Sequence, residues 1–123
     1  MVVKEIIFMD SQEDLAEAEV LVTDGKYDLF CFCHPCVYKV NDKIIEPLSC
    51  LDSDNIVISE EKECYVRRGG ETFEHHICGC LSDKEKGIVS IGEILISIHA
   101  NLIPKDIAQG SYIEFDVTRI DLC

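Results

Sequence analysis

The sequence predicts a small all-β domain, built as an antiparallel barrel or sandwich with one short helical turn. Short runs rich in β-branched and aromatic residues recur along the chain and are separated by turn-forming residues. Two turns are explicit, because Asp24-Gly25 and Gly69-Gly70 each connect two such runs. The close spacing of the strands favours a closed or partly open barrel of the oligonucleotide/oligosaccharide-binding (OB) type. The length of 123 residues fits a single domain, 1–123.

The individual elements follow from local composition and alternation. The first strand is the β-branched and aromatic run 2–9, and the spacing of Ser11 and Asp14 allows a short capped helix after it. Alternating apolar and acidic residues predict the strand that ends at Val22. Asp and Asn residues make 47–55 a predicted loop, and Pro104 begins the predicted helical turn, 104–107. The other predicted strands are 27–33, 37–40, 43–46, 56–59, 64–68, 71–81, 88–98 with a bulge at Gly92, and 112–122.

The charge of the chain restricts its partners. The formal net charge is −13, which would repel a phosphate backbone and disfavours nucleic acid as a partner. Six carboxylates and no basic residue lie between Asp10 and Asp24. Such a surface either serves solubility or is complementary to a basic protein partner.

The location of the protein affects the interpretation of its eight cysteines. No apolar run approaches the ~20 residues that span a bilayer, and the first residues do not have the pattern of a signal peptide. We therefore expect a cytoplasmic protein with no membrane partner, in which thiols stay reduced. Two clusters contain five of the cysteines, Cys31-Phe-Cys33-His34-Pro-Cys36 and His75-His76-Ile-Cys78-Gly-Cys80. A disulfide framework is the least favoured explanation, which leaves metal binding or the packing of free thiols.

The Asp24-Gly25 turn predicts which side chains of the first hairpin share a face. A two-residue turn would place Val22 opposite Tyr27, and Cys31 and Cys33 then lie on the apolar core face as small buried hydrophobes. The opposite face carries a candidate partner-binding surface formed by Glu17, Glu19, Phe30 and Phe32. Either a second layer of the same fold covers the two phenylalanines, or they form an exposed patch that binds a protein.

The Gly69-Gly70 turn likewise predicts which side chains of the second hairpin share a face. It would place Val66 opposite Phe73 and Cys64 opposite His75 on the apolar face. Three Cys and His side chains then alternate on the other face, and zinc needs about four such ligands. The candidate metal ligands are therefore Cys36, His76, Cys78 and Cys80, with Cys33 or His34 as further candidates. Binding of no cofactor, with reduced and unliganded thiols, is favoured over this zinc site.

Catalytic patterns are weak in this sequence. Cys33-His34-Pro35-Cys36 has the spacing of a redox motif, but a strand-like segment follows it instead of the helix that lowers a thiol pKa. Cys64 and His75 could be nucleophile and base, yet both are predicted on the core face. The sequence contains no phosphate loop, nucleophile elbow or zinc-protease motif. We therefore expect a protein that is not an enzyme.

The first functional prediction is a non-enzymatic interaction module that binds a protein partner, with a basic partner suiting its charge. Pairing of exposed edge strands would also allow a homodimer. Two alternatives stay open: a zinc-stabilised module, and a small-ligand-binding or enzymatic barrel. A deep pocket lined by several carboxylates, or by His76 with Glu74, would be evidence for the last of these.

Overall fold

The computed structural model describes residues 1–9, 17–70 and 72–122 and confirms the all-β prediction. The predicted helix at 11–14 lies outside these residues. No helix in the described part of the chain has the length and apolarity needed to cross a bilayer. The strands are β1 Val2–Phe8, β2 Ala18–Thr23, β3 Asp28–Cys33, β4 Leu48–Ile58, β5 Tyr65–Arg68, β6 His75–Asp83, β7 Ile88–Ile91, β8 Ile94–Ser97 and β9 Tyr112–Asp121.

Five of these strands close into a barrel in the order β4–β9–β6–β7–β8. β8 returns to β4 in parallel pairing, whereas the other four neighbouring pairs are antiparallel. A 3-10 turn, Ala100–Leu102, lies between β8 and β9. This order and these directions are those of an OB-type barrel whose fifth strand precedes the other four in the chain. The architecture alone indicates no function.

The three N-terminal strands form an antiparallel sheet that joins the barrel at one edge. β3 meets β9 through the parallel bridge between Phe32 and Asp121, and the Leu122 N–H donates to the Phe32 carbonyl over 2.9 Å. On the far side of the barrel, β5 pairs with β6. β1 and β5 are therefore the two ends of the sheet.

One hydrophobic core is shared by the barrel and the N-terminal sheet. Cys31 and Cys33 are fully buried in it, as the alternation of the first hairpin predicts. Burying each large apolar side chain contributes about 1.5–3 kcal/mol, so these rows of alternate residues dominate the stability. The largest fully buried side chains include Leu29, Leu48, Ile77, Leu81, Ile113 and Phe115.

The loop of the first hairpin is longer than predicted. Val22 faces Leu29 instead of Tyr27, because four residues, 24–27, connect the strands. The Asp24 carboxylate accepts the N–H groups of Lys26 and Tyr27 over 2.9 and 2.8 Å, which stabilises this wider turn. A shift of two residues leaves every side chain on its predicted face, since the period of a strand is two.

The second hairpin shows the same kind of difference. Val66 faces Ile77 instead of Phe73, and the strands are connected by 69–74. The Gly69 N–H donates to the Glu74 carbonyl over 2.8 Å and closes this loop. The predicted division into faces is kept here too, because the register again changes by an even number of residues.

Further predictions of local structure differ from the structure, and the predicted loop 47–55 is part of strand β4 from Leu48 onward. The run 88–98 is the tight hairpin β7–β8, since Gly92 has φ +60° and starts a two-residue turn instead of a bulge. The helical turn is Ala100–Leu102, whereas 104–107 is a single turn closed by the Ile107 N–H on the Pro104 carbonyl. Segments 37–40 and 43–46 are not strands, although Lys43 forms an isolated bridge with Val2.

Candidate functional site

A cleft of about 600 Å³ opens beside the barrel and is the candidate functional site. Three of the four histidines of the chain line this cleft, together with carboxylates and arginines. We call it the acidic cleft, because it contains four carboxylates against two guanidinium groups. Its charged and histidine lining consists of Asp52, Asp54, Glu74, Asp116, Arg67, Arg68, His75, His76 and His99.

A local distortion of β4 brings Asp52 and Asp54 to the cleft. Asp52 and Asn55 adopt left-handed conformations, with φ of +55° and +56°, and the pairing of β4 with β9 shifts register after Asp54. Asp and Asn tolerate this conformation better than other non-glycine residues, so an Asp/Asn-rich strand can bend here. Between the two aspartates, the Ser53 hydroxyl oxygen is buried without a hydrogen-bond partner among the described residues.

His76 lies at the centre of a polar network in one wall of the cleft. Its Nδ1 lies 2.6 Å from Asp116 Oδ1, and its Nε2 lies 3.1 Å from the Tyr65 hydroxyl and 3.7 Å from Glu114 Oε1. Asn55 Nδ2 donates to the other Asp116 oxygen over 3.0 Å. The hydrogen bonds from Asn55 and His76 lower the pKa of Asp116, since they stabilise its charged form. This network holds the imidazole in one orientation.

His75 has a structural role, although it also borders the cleft. Its side chain is buried, and its Nδ1 donates to the Phe73 carbonyl over 2.8 Å. Its Nε2 then accepts the Phe30 N–H over 3.2 Å, which ties β6 to β3. Burial, with a further contribution from the nearby Arg68 charge, lowers the pKa of His75. The imidazole is therefore neutral and has both nitrogens occupied at neutral pH.

The two arginines of the cleft already have partners inside the protein. Arg68 forms an ion pair with Glu19, and its guanidinium lies 3.9 Å from the centre of the Phe30 ring. The Arg67 guanidinium lies 4.7 Å from the centre of the Tyr65 ring. The charge of Arg68 is thus compensated by Glu19, whereas Arg67 keeps its charge, and the four carboxylates outnumber the two guanidinium groups of the cleft.

The predicted partner-binding surface adjoins the cleft and is partly covered by the fold itself. Phe30 stacks on His75, and Phe32 packs edge-on against Phe73 with centroids 5.8 Å apart. The Arg119 guanidinium lies 4.3 Å above the Phe32 ring and also binds Asp121. Both phenylalanine rings are consequently half-buried. The remaining two members of the surface are Glu17, which is half-buried, and Glu19, which is paired with Arg68.

The predicted metal ligands do not form a common centre in the described part of the chain. There, no group of three or more His, Cys, Asp or Glu side chains is arranged to hold a metal ion. His76, Cys78 and Cys80 alternate along one face of β6, as predicted, but Cys78 is fully buried and the Cys80 thiol lies 3.7 Å from the Gly110 carbonyl. Cys36 packs against the hydrophobic core.

Zinc binding stays a prediction that metal analysis can test. Elemental analysis of protein purified without added metal would support it at about one zinc per chain, the stoichiometry of a structural site. A content of only a small fraction of one zinc per chain would contradict it.

The residues that give the cleft its charge have no distinctive pattern in the sequence. Asp52, Asp54 and Asn55 were expected in a loop, because Asp and Asn are depleted in strands. Asp116 alternates with core residues of β9 and is indistinguishable in sequence from a solvent-facing carboxylate. The available signal was the concentration of Asp and Asn in 52–55, which marks a distortion of the backbone.

A comparison of this chain with protein-family models, with curated proteins and with solved structures finds no match.

Proposed function

We propose that this protein is a non-enzymatic binding module whose acidic cleft receives a basic group of a protein partner. The charge of the cleft carries this proposal. Asp52, Asp54 and Glu74 form no ion pair with any described residue, whereas Arg68 is paired with Glu19 and Arg67 lies over the Tyr65 ring. The net charge of −13 acts in the same direction, since it steers cations toward the protein and repels phosphate.

The groups in the cleft favour binding over catalysis. Nε2 of His76 is engaged by the Tyr65 hydroxyl. Burial raises the pKa of Tyr65, with Glu114 contributing further, so this hydroxyl is not an activated nucleophile. What the cleft offers is a set of oriented hydrogen-bond acceptors, which suits an ammonium or guanidinium group.

A small cationic molecule is the second candidate ligand. The volume of about 600 Å³ lies within the range of small-molecule sites. Four carboxylates, Glu74 among them, line the cleft together with His76, and this lining is the one expected of a ligand-binding barrel.

Calorimetric titration with hexa-arginine amide tests the proposal. The double variant Asp52→Asn/Asp54→Asn should weaken binding about tenfold, because two charge contacts are lost. The matched control is Glu46→Gln/Glu85→Gln, which removes the same charge from exposed residues that do not line the cleft. This control should change the affinity less than about twofold, since exposed charges outside a site contribute little.

Two results would contradict the proposal. If the control pair weakens binding as much as the cleft pair does, the peptide responds to net charge and not to the cleft. If wild-type protein does not bind the peptide at low salt, the cleft is not a site for basic groups. Competition by arginine amide with an affinity equal to that of the peptide would favour the small-molecule candidate.

A further inference from the structure

One half of the edge strand β1 presents backbone groups that face away from the sheet. The Met9 N–H donates to the Glu17 carbonyl of β2 over 2.9 Å, so Met9 points toward β2. Because antiparallel strands alternate, the backbone groups of Ile6 and Phe8 point the other way. The backbone N–H and carbonyl groups at such an edge can form hydrogen bonds with a further strand.

The two halves of this edge differ in how they are covered. In the first half, the Val3 N–H donates to the Asp42 carbonyl over 2.9 Å, and the Asn41 N–H donates to the Val3 carbonyl over 2.7 Å. In the second half, Ile6 and Phe8 have no backbone partner on this side within residues 1–9, 17–70 and 72–122. The side chains there are apolar yet open to solvent, with Ile7 50% and Phe8 57% exposed.

A shallow depression beside the edge combines an apolar floor with carboxylates. Ile7, Leu21 and Phe30 form the floor, and Glu5 and Glu19 stand at its sides. Since Glu19 is already paired with Arg68, a lysine or arginine can lay its aliphatic stem on Ile7 and Leu21 and direct its charged end to Glu5. Glu5 is exposed and forms no ion pair with a described residue, so it is available for this contact.

We infer that the open half of β1 accepts an extended segment of a basic protein partner, which adds a strand with alternating apolar and basic residues. This inference deepens the proposed function, because it rests on the same basic partner and names how that partner docks. The outward backbone groups of Ile6 and Phe8 would supply the hydrogen bonds, and the depression would select the basic side chain.

A second copy of the chain fits this edge less well. A two-fold pairing that uses the outward groups of both copies would place Ile7 on the axis and form about four hydrogen bonds. Each copy also carries a net charge of −13, and these charges repel.

The test uses a capped hexapeptide of alternating lysine and valine and isotope-labelled protein. Binding should slow amide hydrogen exchange at Ile6 and Phe8. Phe8→Pro should weaken binding about tenfold, because it removes an outward N–H that the pairing with β2 does not use. Phe8→Val is the matched control, since it keeps this N–H, and it should change the affinity less than about threefold. A peptide with glutamate in place of lysine should bind at least about tenfold more weakly.

A second measurement covers the case in which Phe8→Pro does not fold. N-methylation of the peptide on its pairing edge leaves the protein unchanged and should weaken binding about 100-fold, since several hydrogen bonds are lost. Equal binding of the N-methylated and unmodified peptides would overturn the inference. A dimer in sedimentation equilibrium that Phe8→Pro dissociates would overturn it as well, because the edge would then belong to a second copy.

The same peptide separates this inference from the proposed function. If Asp52→Asn/Asp54→Asn weakens binding and Phe8→Pro and N-methylation do not, the cleft binds basic groups and the edge inference fails. If N-methylation and Phe8→Pro weaken binding and the cleft variant does not, the edge inference stands without the cleft.

Discussion

Replacing His75 by phenylalanine should destabilise the fold, because one ring nitrogen of His75 connects β6 to β3 and the other binds the Phe73 carbonyl of the preceding loop. Its Nδ1 donates to the Phe73 carbonyl over 2.8 Å, and its Nε2 accepts the Phe30 N–H over 3.2 Å. Phenylalanine is a planar ring larger than imidazole, so the variant creates no cavity, adds some overpacking and leaves both backbone groups without their hydrogen-bond partner. Each orphaned group costs about 1–3 kcal/mol when buried. Both hydrogen bonds are only partly buried, so we expect a total loss of about 2–4 kcal/mol.

The same histidine makes stability depend on pH. The pKa of an unfolded histidine is about 6.5, and burial lowers the pKa of His75 in the folded state. Between these two values the unfolded chain binds more protons than the folded one. The contribution of His75 is therefore fully present above about pH 6.5 and is lost as the pH falls toward its folded pKa. The slope can reach about 1.4 kcal/mol per pH unit.

Urea unfolding followed by circular dichroism measures both effects. Wild-type protein, His75→Phe and the control His99→Phe are compared at pH 7.5 and pH 5.5. His99 is exposed on the same cleft, so its replacement should change the free energy of unfolding by less than about 0.5 kcal/mol. The difference between wild type and His75→Phe should shrink at the lower pH. A loss below about 1 kcal/mol at pH 7.5, or a difference that grows at pH 5.5, would refute the role of His75.

Four further predictions concern packing, backbone conformation and thiol access. Gly79→Ala should lower the free energy of unfolding, measured by chemical denaturation, by about 1–3 kcal/mol, because the Cβ of the alanine would lie 2.7 Å from a Val89 methyl group. Gly25→Ala should cost about 1–2 kcal/mol from its φ of +98° alone, since its Cβ would meet no atom within 4 Å. Phe32→Ala should lower the free energy of unfolding by about 1–3 kcal/mol, as expected for a half-buried ring with an aromatic and a cationic neighbour. A loss above about 5 kcal/mol would show that Phe32 is a core residue. In native protein, iodoacetamide should modify the partly exposed Cys80 well before the buried Cys31. Mass spectrometry after digestion measures both rates, and equal rates would contradict this prediction.

The all-β class and the division of residues between faces could be predicted from the sequence. Alternation has a period of two, so an error of two or four residues in a loop leaves each side chain on its face. Cys31 and Cys33 are core residues for this reason, although the predicted pairing partners were wrong. The β7–β8 hairpin was missed because Gly92 was assigned to a bulge, although Gly92-Glu93 forms the two-residue turn between two apolar runs.

The candidate site could be predicted only in part. Phe30 and Phe32 were expected on a common face, and the structure places both rings there, half-covered by Arg68 and Arg119. The covering arginines come from other strands, and local alternation contains no information about them. Whether this surface binds a protein stays a prediction.

The sequence by itself determined the kind of surface that this protein presents: an acidic exterior over a core of alternating apolar residues. Composition and strand period are local properties, and they survive errors in loop length. The tertiary structure alone decided that Asp52 and Asp116, 64 positions apart, line one cleft with His76. Barrel closure and the distortion of β4 bring these groups together, and both depend on the pairing of distant strands, which a single sequence does not specify.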